Sequence, residues 1–270
     1  MQKTSVSRRT IAQTFSELRA SGKIALMPFL SAGYPDLATT AAILPALEAA
    51  GANLIEIGFP FSDPIADGPT IQESYTVALS HKLKLADIFK MVAAVRPTVG
   101  FPLVGMVSYS IVFRYGLDRF VVDAKTAGFD ALIIPDLPPP EAQSICTKIR
   151  AGGLDTVLLV APTTTPERRA EIAALSSGFI YYLSISGITG ERDKLPADLA
   201  TNVKALKQLT DKPVCVGFGI SKREHVQQLS DIADGVIVGS AFVKRITQHA
   251  SEGPAAIARA LGDYCRELLL

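Results

Sequence analysis

The chain has 270 residues, of which 48% are hydrophobic, so it is long enough to bury one large core. Its 27 basic and 26 acidic residues give a formal net charge of +1 and form no block of one sign, which argues against nucleic acid as a partner. No apolar run approaches the roughly 20 residues of a membrane span, and three scattered cysteines predict neither a disulfide framework nor a zinc site. We expect a cytoplasmic protein with one domain over residues 1–270.

The first predicted element is an amphipathic helix near the N-terminus, where Ile11, Phe15 and Leu18 recur at helical spacing. Beyond it, eight short apolar runs alternate with helical stretches. The runs are 24–30, 53–59, 101–107, 131–135, 156–160, 179–184, 213–217 and 235–239. Each is apolar almost throughout, as in strands that are covered on both faces. The alternation predicts an α/β fold, a single (β/α)8 TIM barrel with an extra N-terminal helix.

Two connections that follow predicted strands are longer than usual, namely 59–69 and 184–196. Because both follow strands, both belong to the carboxyl-end rim of the barrel, where enzymes with this fold carry out their chemistry.

The second strand and its loop contain two acidic residues that can face one cavity. Glu56 lies within the apolar run 53–59, where a carboxylate must point into the barrel mouth or carry a heavy desolvation cost. Asp67 follows eleven positions later in a loop that prolines stiffen. The alternatives are a Glu56 satisfied by structural hydrogen bonds and an Asp67 that is an ordinary turn residue.

A phosphate site is predicted where the last two strands end. Gly217-Phe-Gly219 follows the seventh strand, and Gly239-Ser240 follows the eighth at the start of a helix. Backbone N–H groups that no side chain covers, together with a helix N-terminus, attract an anion. Barrels commonly hold phosphate at these two loops. The alternative is a pair of tight turns that only cap helices.

Several routes to carbon–carbon cleavage lack the residues that they need. No lysine lies in strands six to eight, which removes the usual Schiff base of an aldolase. The three histidines, His81, His225 and His249, fall in or beside predicted helices, so no zinc-assisted route is expected. Cleavage without metal or lysine needs a substrate that supplies its own electron sink.

Motifs over nearly the whole chain resemble the tryptophan synthase alpha subunit family. The most specific is LIEIGFPFSDPIADGPTIQ at 54–72. The others are PFLSAGYP at 28–35, PDLP at 135–138, APT at 161–163, SGITG at 186–190, VGFGIS at 216–221 and VIVGSAFV at 236–243. The resemblance implies retro-aldol cleavage of indole-3-glycerol phosphate to indole and glyceraldehyde 3-phosphate, a lyase reaction of tryptophan biosynthesis.

The resemblance also implies a role for each matched residue. Glu56 would be the general acid and base, Asp67 would accept the indole N–H hydrogen bond, and Tyr181 would be the site tyrosine. Thr189 would bond Asp67 when the loop 186–196 closes. The phosphate would be held by Gly190, Phe218, Gly219, Gly239 and Ser240, and the indole pocket would be lined by Phe29, Ile71 and Met106.

The family pairs with a beta subunit that carries pyridoxal phosphate, so the resemblance implies an alpha-beta-beta-alpha complex and no cofactor in this chain. The matched contact residues are Pro60, Phe61 and Asp63. The sequence departs from the family pattern at Ser108-Tyr109-Ser110 and at Ile185.

Two rival hypotheses remain open at this point: another phosphate-binding barrel isomerase, and a noncatalytic scaffold that activates a partner. Strand 1 ends without the carboxylate or cysteine that the isomerase needs. The pair Glu56 and Asp67 argues against the scaffold, because binding alone needs neither.

Overall fold

The structure, a computed structural model, describes residues 6–64, 67–183, 195–217 and 219–270. Eight strands form a closed barrel in which each pairs in parallel with its neighbours in sequence, and the last pairs with the first. The strands are β1 (Ala25–Ser31), β2 (Ile55–Gly58), β3 (Leu103–Met106), β4 (Ala131–Ile133), β5 (Asp155–Val160), β6 (Ile180–Leu183), β7 (Val214–Gly217) and β8 (Gly235–Val238). The predicted (β/α)8 barrel is therefore confirmed.

Twelve helices are present in the described residues, and most of them cover the outside of the barrel. They are α1 (Ile11–Ala20), α2 (Leu37–Ala49), α3 (Pro69–Ser80), α4 (Leu85–Val95), α5 (Tyr109–Tyr115), α6 (Leu117–Ala127), α7 (Pro139–Ala151), α8 (Pro166–Leu175), α9 (Leu199–Lys207), α10 (Arg223–Ser230), α11 (Ser240–Gln248) and α12 (Pro254–Leu269). In these parts of the chain, no helix is both long and apolar enough to cross a bilayer.

The predicted extra N-terminal helix is α1, which packs against the amino ends of the strands. Thr10 and Gln13 form a capping box at its start, since each side chain accepts a hydrogen bond from the other residue's backbone N–H. Ile11 and Phe15 are buried against the barrel interior, where the Phe15 ring lies 6.0 Å from that of Phe179. This end of the barrel is closed by apolar packing and leaves the opposite end for a site.

Side chains of the barrel alternate between an interior cluster and the layer beneath the helices. The interior cluster includes Ala25, Met27, Leu54, Val104, Ala131, Ile133, Val157, Phe179, Tyr181, Cys215 and Ile237. The strand residues that alternate with them point outward and pack beneath the helices. Tyr182, for example, belongs to this larger outer core. Successive strand residues point to opposite faces, so Glu56, two residues after inward-facing Leu54, also points into the barrel.

Sequence and structure differ mainly at the ends of elements. The predicted strand ends differ from those observed by at most two residues, because apolar character and the ladder of hydrogen bonds do not stop at the same residue. The helix after β7 begins at Arg223, two residues after Ser221. Ser221 stays outside it because the intervening residue, Lys222, is the N-cap and has an extended backbone, with φ of −129° and ψ of 153°.

Candidate active site

Glu56 lies at the centre of the candidate site. It is the second residue of β2, paired in register with Phe29 of β1 and Val104 of β3, and its side chain is 1% exposed. Its Oε2 atom accepts no hydrogen bond from the described residues. Burial raises the pKa of Glu56 to about 8, and the negative charge of Asp67 adds to the rise. The carboxyl is thus an acid that still holds its proton at neutral pH.

Asp67 lies in the loop between β2 and α3. Its backbone N–H donates to the carbonyl of Pro64 at 3.2 Å, and its own carbonyl accepts from the side-chain amide of Gln72 at 2.7 Å. These bonds tie the loop to the first turn of α3. Burial raises the pKa of Asp67 to about 6, so at neutral pH it is mostly ionised while Glu56 is mostly protonated. The two carboxyls therefore differ in protonation state in the same cavity.

Tyr181 reaches the same cavity from β6, on the opposite side of the barrel. The hydroxyl end of the Tyr181 ring occupies the space directly over the Gly217 backbone, where a Cβ atom at position 217 would clash with it. Burial raises the pKa of Tyr181 well above its usual value, and the charges of Glu56, Asp67 and Cys215 raise it further. The hydroxyl therefore stays protonated and is a hydrogen-bond donor.

Tyr75 is a site residue that the sequence analysis missed. Its hydroxyl lies directly over Gly58, within 2.5 Å of where a Cβ atom at that position would be. Gly58 is the next residue after Glu56 on the inward face of β2. Tyr75 is buried, and burial followed by the charges of Asp67 and Glu56 raises its pKa well above the usual value. The available signal was its position in the first turns of α3, directly after the Asp67 loop. On a helix face, however, a tyrosine resembles ordinary core.

The three residues predicted to line an indole pocket lie around this mouth. Phe29 and Ile71 are buried, and Met106 is partly buried at the end of β3. The Phe29 side chain lies between two strands. The tip of its ring fills the space that a side chain at Gly58 would occupy, and the base of the ring lies next to the corresponding space at Gly239. An apolar wall therefore runs from the β2 acid to the turn after β8.

The predicted phosphate residues lie at the same end of the barrel, as far as the structure describes them. Gly219, in the loop after β7, has a φ of +79°, a conformation that favours glycine. Gly239 is the N-cap of α11, and Ser240 is its first residue. The helix N-terminus and the open backbone can accept an anion there. The predictions for Thr189, Gly190 and Phe218 concern residues outside the described ranges.

The predicted partner residues lie on the rim beside this mouth. Pro60 is buried, Phe61 is partly exposed, and Asp63 is exposed with a 2.6 Å hydrogen bond from Ser62. Within the described residues, no group of three or more histidine, cysteine or acidic side chains could hold a metal ion.

Replacing Glu56 by Gln should stabilise the fold, and the gain should grow with pH. Because folding raises its pKa from 4.5 to about 8, Glu56 binds its proton more tightly in the folded state. The folded state therefore loses stability as pH rises through that range, whereas glutamine does not titrate. Urea unfolding should show little difference at about pH 4 and a gain of a few kcal/mol at about pH 8.5. An equal difference at both pH values would rule out a raised pKa.

Fold and site together define a (β/α)8-barrel protein with an acid–base centre at the carboxyl ends of its strands. The family model described as "Tryptophan synthase alpha chain" matches residues 15–268. The chain belongs to the tryptophan synthase alpha chain family, as the motifs predicted, and it is a lyase of that family.

Relatives and solved structures agree with this family. The tryptophan synthase alpha chain of Rhodopirellula baltica is 44% identical over 264 residues, covering 94% of this chain and 95% of that protein. The alpha chain of Chloroflexus aggregans is 45% identical over 260 residues, covering 96% of each. A chain in a structure of Mycobacterium tuberculosis tryptophan synthase superposes with a TM-score of 0.86 at 37% identity, over 98% of this chain and 100% of that one.

Proposed function

We propose that this chain cleaves indole-3-glycerol phosphate by a retro-aldol step, releasing indole and glyceraldehyde 3-phosphate. The observation that carries the proposal is the Glu56 carboxyl, buried inside the barrel and protonated at neutral pH, at the same mouth as Asp67 and the two glycine turns. Family membership supports the same reaction.

The chemistry follows from the different protonation states of the two carboxyls. Glu56 gives its proton to C3 of the indole, which makes the ring a cationic electron sink. Ionised Asp67 accepts the indole N–H hydrogen bond and stabilises that cation. The bond between C3 and the hydroxyl-bearing carbon then breaks, and its electron pair returns to the ring. Glu56, now a carboxylate, takes the hydroxyl proton as the aldehyde forms, which restores the starting state.

The remaining residues bind and orient the substrate. Gly219, Gly239 and Ser240 would hold its phosphate, together with Gly190 and Phe218, while Thr189 would bond Asp67 on loop closure. Phe29, Ile71 and Met106 would form the indole wall. Tyr181 would donate a hydrogen bond beside Glu56.

The test is release of indole by the purified chain in the presence of a chelator and without added cofactor. We expect slow but measurable turnover of indole-3-glycerol phosphate. Binding of substrate with no indole released, alone or with a tryptophan synthase beta subunit, would contradict the proposed reaction and favour a scaffold. Isomerisation of a phosphoribosyl substrate would favour the other rival.

The proposal includes a tryptophan synthase beta subunit as partner, in an alpha-beta-beta-alpha complex where the beta subunit carries the pyridoxal phosphate. The rim beside the mouth supports this. Phe113 is 70% exposed there, and its ring lies 6.0 Å from that of Tyr109. A shallow, mostly apolar groove of about 320 Å³ reaches from Pro60 to Ile111. Exposed aromatic residues beside an apolar groove suit a protein interface.

Replacing Phe61 by Ala should weaken the complex by about tenfold or more, because a central aromatic contact often dominates an interface. The dissociation constant with a tryptophan synthase beta subunit can be measured by calorimetry. Leu209→Ala is the control, since Leu209 is 49% exposed after α9 at the other end of the barrel. Equal affinities for the Phe61 variant and the wild type would exclude Phe61 from the interface.

A cytoplasmic location is also part of the proposal. Cys146, Cys215 and Cys265 are all buried and unpaired, which is the state that a reducing compartment maintains.

A further inference from the structure

Both backbone groups of Ser221 are bound by side chains. The Tyr264 hydroxyl, from α12, donates to the Ser221 carbonyl at 2.8 Å, and the bond is buried. The Ser221 N–H donates to Nδ1 of His225, from α10, at 3.4 Å. Nδ1 must be unprotonated to accept this bond. Ser221 lies two residues after Gly219 in the loop between β7 and α10, so these bonds fix the orientation of the loop's last peptides.

Tyr264 is itself held against α11. The guanidinium carbon of Arg245 lies 3.2 Å from the centroid of the Tyr264 ring, and the Phe242 ring lies 4.9 Å from it. Arg245 and Phe242 both belong to α11, whose first residue is Ser240. The Tyr264 side chain therefore contacts both the β7–α10 loop and the helix that begins at the β8 turn.

We propose that Tyr264 and His225 are positioning residues for the phosphate, acting through the backbone of the β7–α10 loop. This inference rests on the proposed function, since it takes Gly219 and Ser240 as the two sides of the phosphate site. We call the three residues Ser221, His225 and Tyr264 the Ser221 clamp. Backbone amides bind an anion well only when they already point at it, so a loop that turns freely loses affinity.

The hydroxyl of Tyr264 is the part that can be tested in isolation. A phenylalanine at position 264 fills nearly the same volume and keeps the ring contacts with Arg245 and Phe242, but it leaves the Ser221 carbonyl without its donor. Tyr34→Phe is a matched control. Tyr34 is also buried, and its hydroxyl forms a 2.7 Å hydrogen bond with Thr247, in the last turn of α11 and far from its N-terminus.

The experiment measures calorimetric dissociation constants for inorganic phosphate, glycerol 3-phosphate and indole, together with kcat and KM for indole-3-glycerol phosphate. In Tyr264→Phe we expect the constants for both phosphate ligands and KM to rise by about 3- to 10-fold, which is the effect of one buried hydrogen bond. Indole affinity and kcat should stay within about twofold. Tyr34→Phe should change none of the phosphate values.

Unchanged phosphate affinity in Tyr264→Phe, or equal weakening of phosphate and indole, would overturn the inference. Should Tyr264→Phe unfold, His225→Gln tests the other half of the clamp with the same readouts. Phosphate binding by a wild-type chain that releases no indole would contradict the proposed reaction alone. A wild-type chain that binds no phosphate would overturn the clamp as well.

Discussion

Replacing Glu56 by Gln should lower kcat for indole release by about a thousandfold or more. Glutamine has nearly the same shape, but it can neither give a proton to indole C3 nor take one from the hydroxyl. General acid–base catalysis is worth about 10²- to 10⁴-fold, and here one carboxyl performs both transfers. Steady-state turnover of indole-3-glycerol phosphate measures the loss.

The same variant must still bind phosphate if Glu56 acts only in the chemistry. We expect its dissociation constant for glycerol 3-phosphate to match that of the wild type, because the two glycine turns lie after β7 and β8. Its higher stability at alkaline pH, predicted above, would confirm that the fold is intact. Activity above about a tenth of the wild-type value would remove Glu56 from the mechanism.

Replacing Asp67 by Asn should lower kcat by about 10²- to 10³-fold, the range seen when one stabiliser of a developing charge is removed. Asparagine can still accept the indole N–H, but it carries no negative charge to stabilise the cation. Asp63→Asn is the matched control, since Asp63 lies in the same loop but is exposed. Comparable losses in both variants would indicate a loop effect.

Replacing Asp67 by Asn should also change the pKa of Glu56. The negative charge of Asp67 helps to raise the Glu56 pKa, so removing it should lower that pKa. The loss of stability as pH rises should therefore be smaller in Asp67→Asn than in the wild type, and it should be complete at a lower pH. An unmoved profile would show that the two carboxyls do not interact. Because the two groups are coupled, the measured pKa values belong to the pair.

Much of the fold could be predicted because its signals are local. Strands buried on both faces are continuously apolar, so even the three-residue strand β4 stands out in the sequence. Glu56 was found for the same reason, as a charge within an apolar run. The start of α10, in contrast, is set by the extended backbone of Lys222 and not by Ser221, although serine is a favoured N-cap residue.

The candidate site was predicted less completely than the fold. Tyr181 was assigned only from the resemblance to the family. Tyr75 was missed because the space over Gly58 that its hydroxyl fills is created by the barrel, and no pattern along α3 shows it. Residues brought together only by barrel closure have no sequence signal of their own.

The central claim is that Glu56 holds a proton inside the barrel at neutral pH. Infrared difference spectroscopy of wild type against Glu56→Gln, titrated from about pH 5 to pH 10, measures this through the carbonyl band of a protonated carboxyl. We predict a band that is lost in the variant and titrates with an apparent pKa of about 8. A Glu56 already ionised at about pH 6 would contradict the mechanism, because the acid that must protonate the indole would be absent.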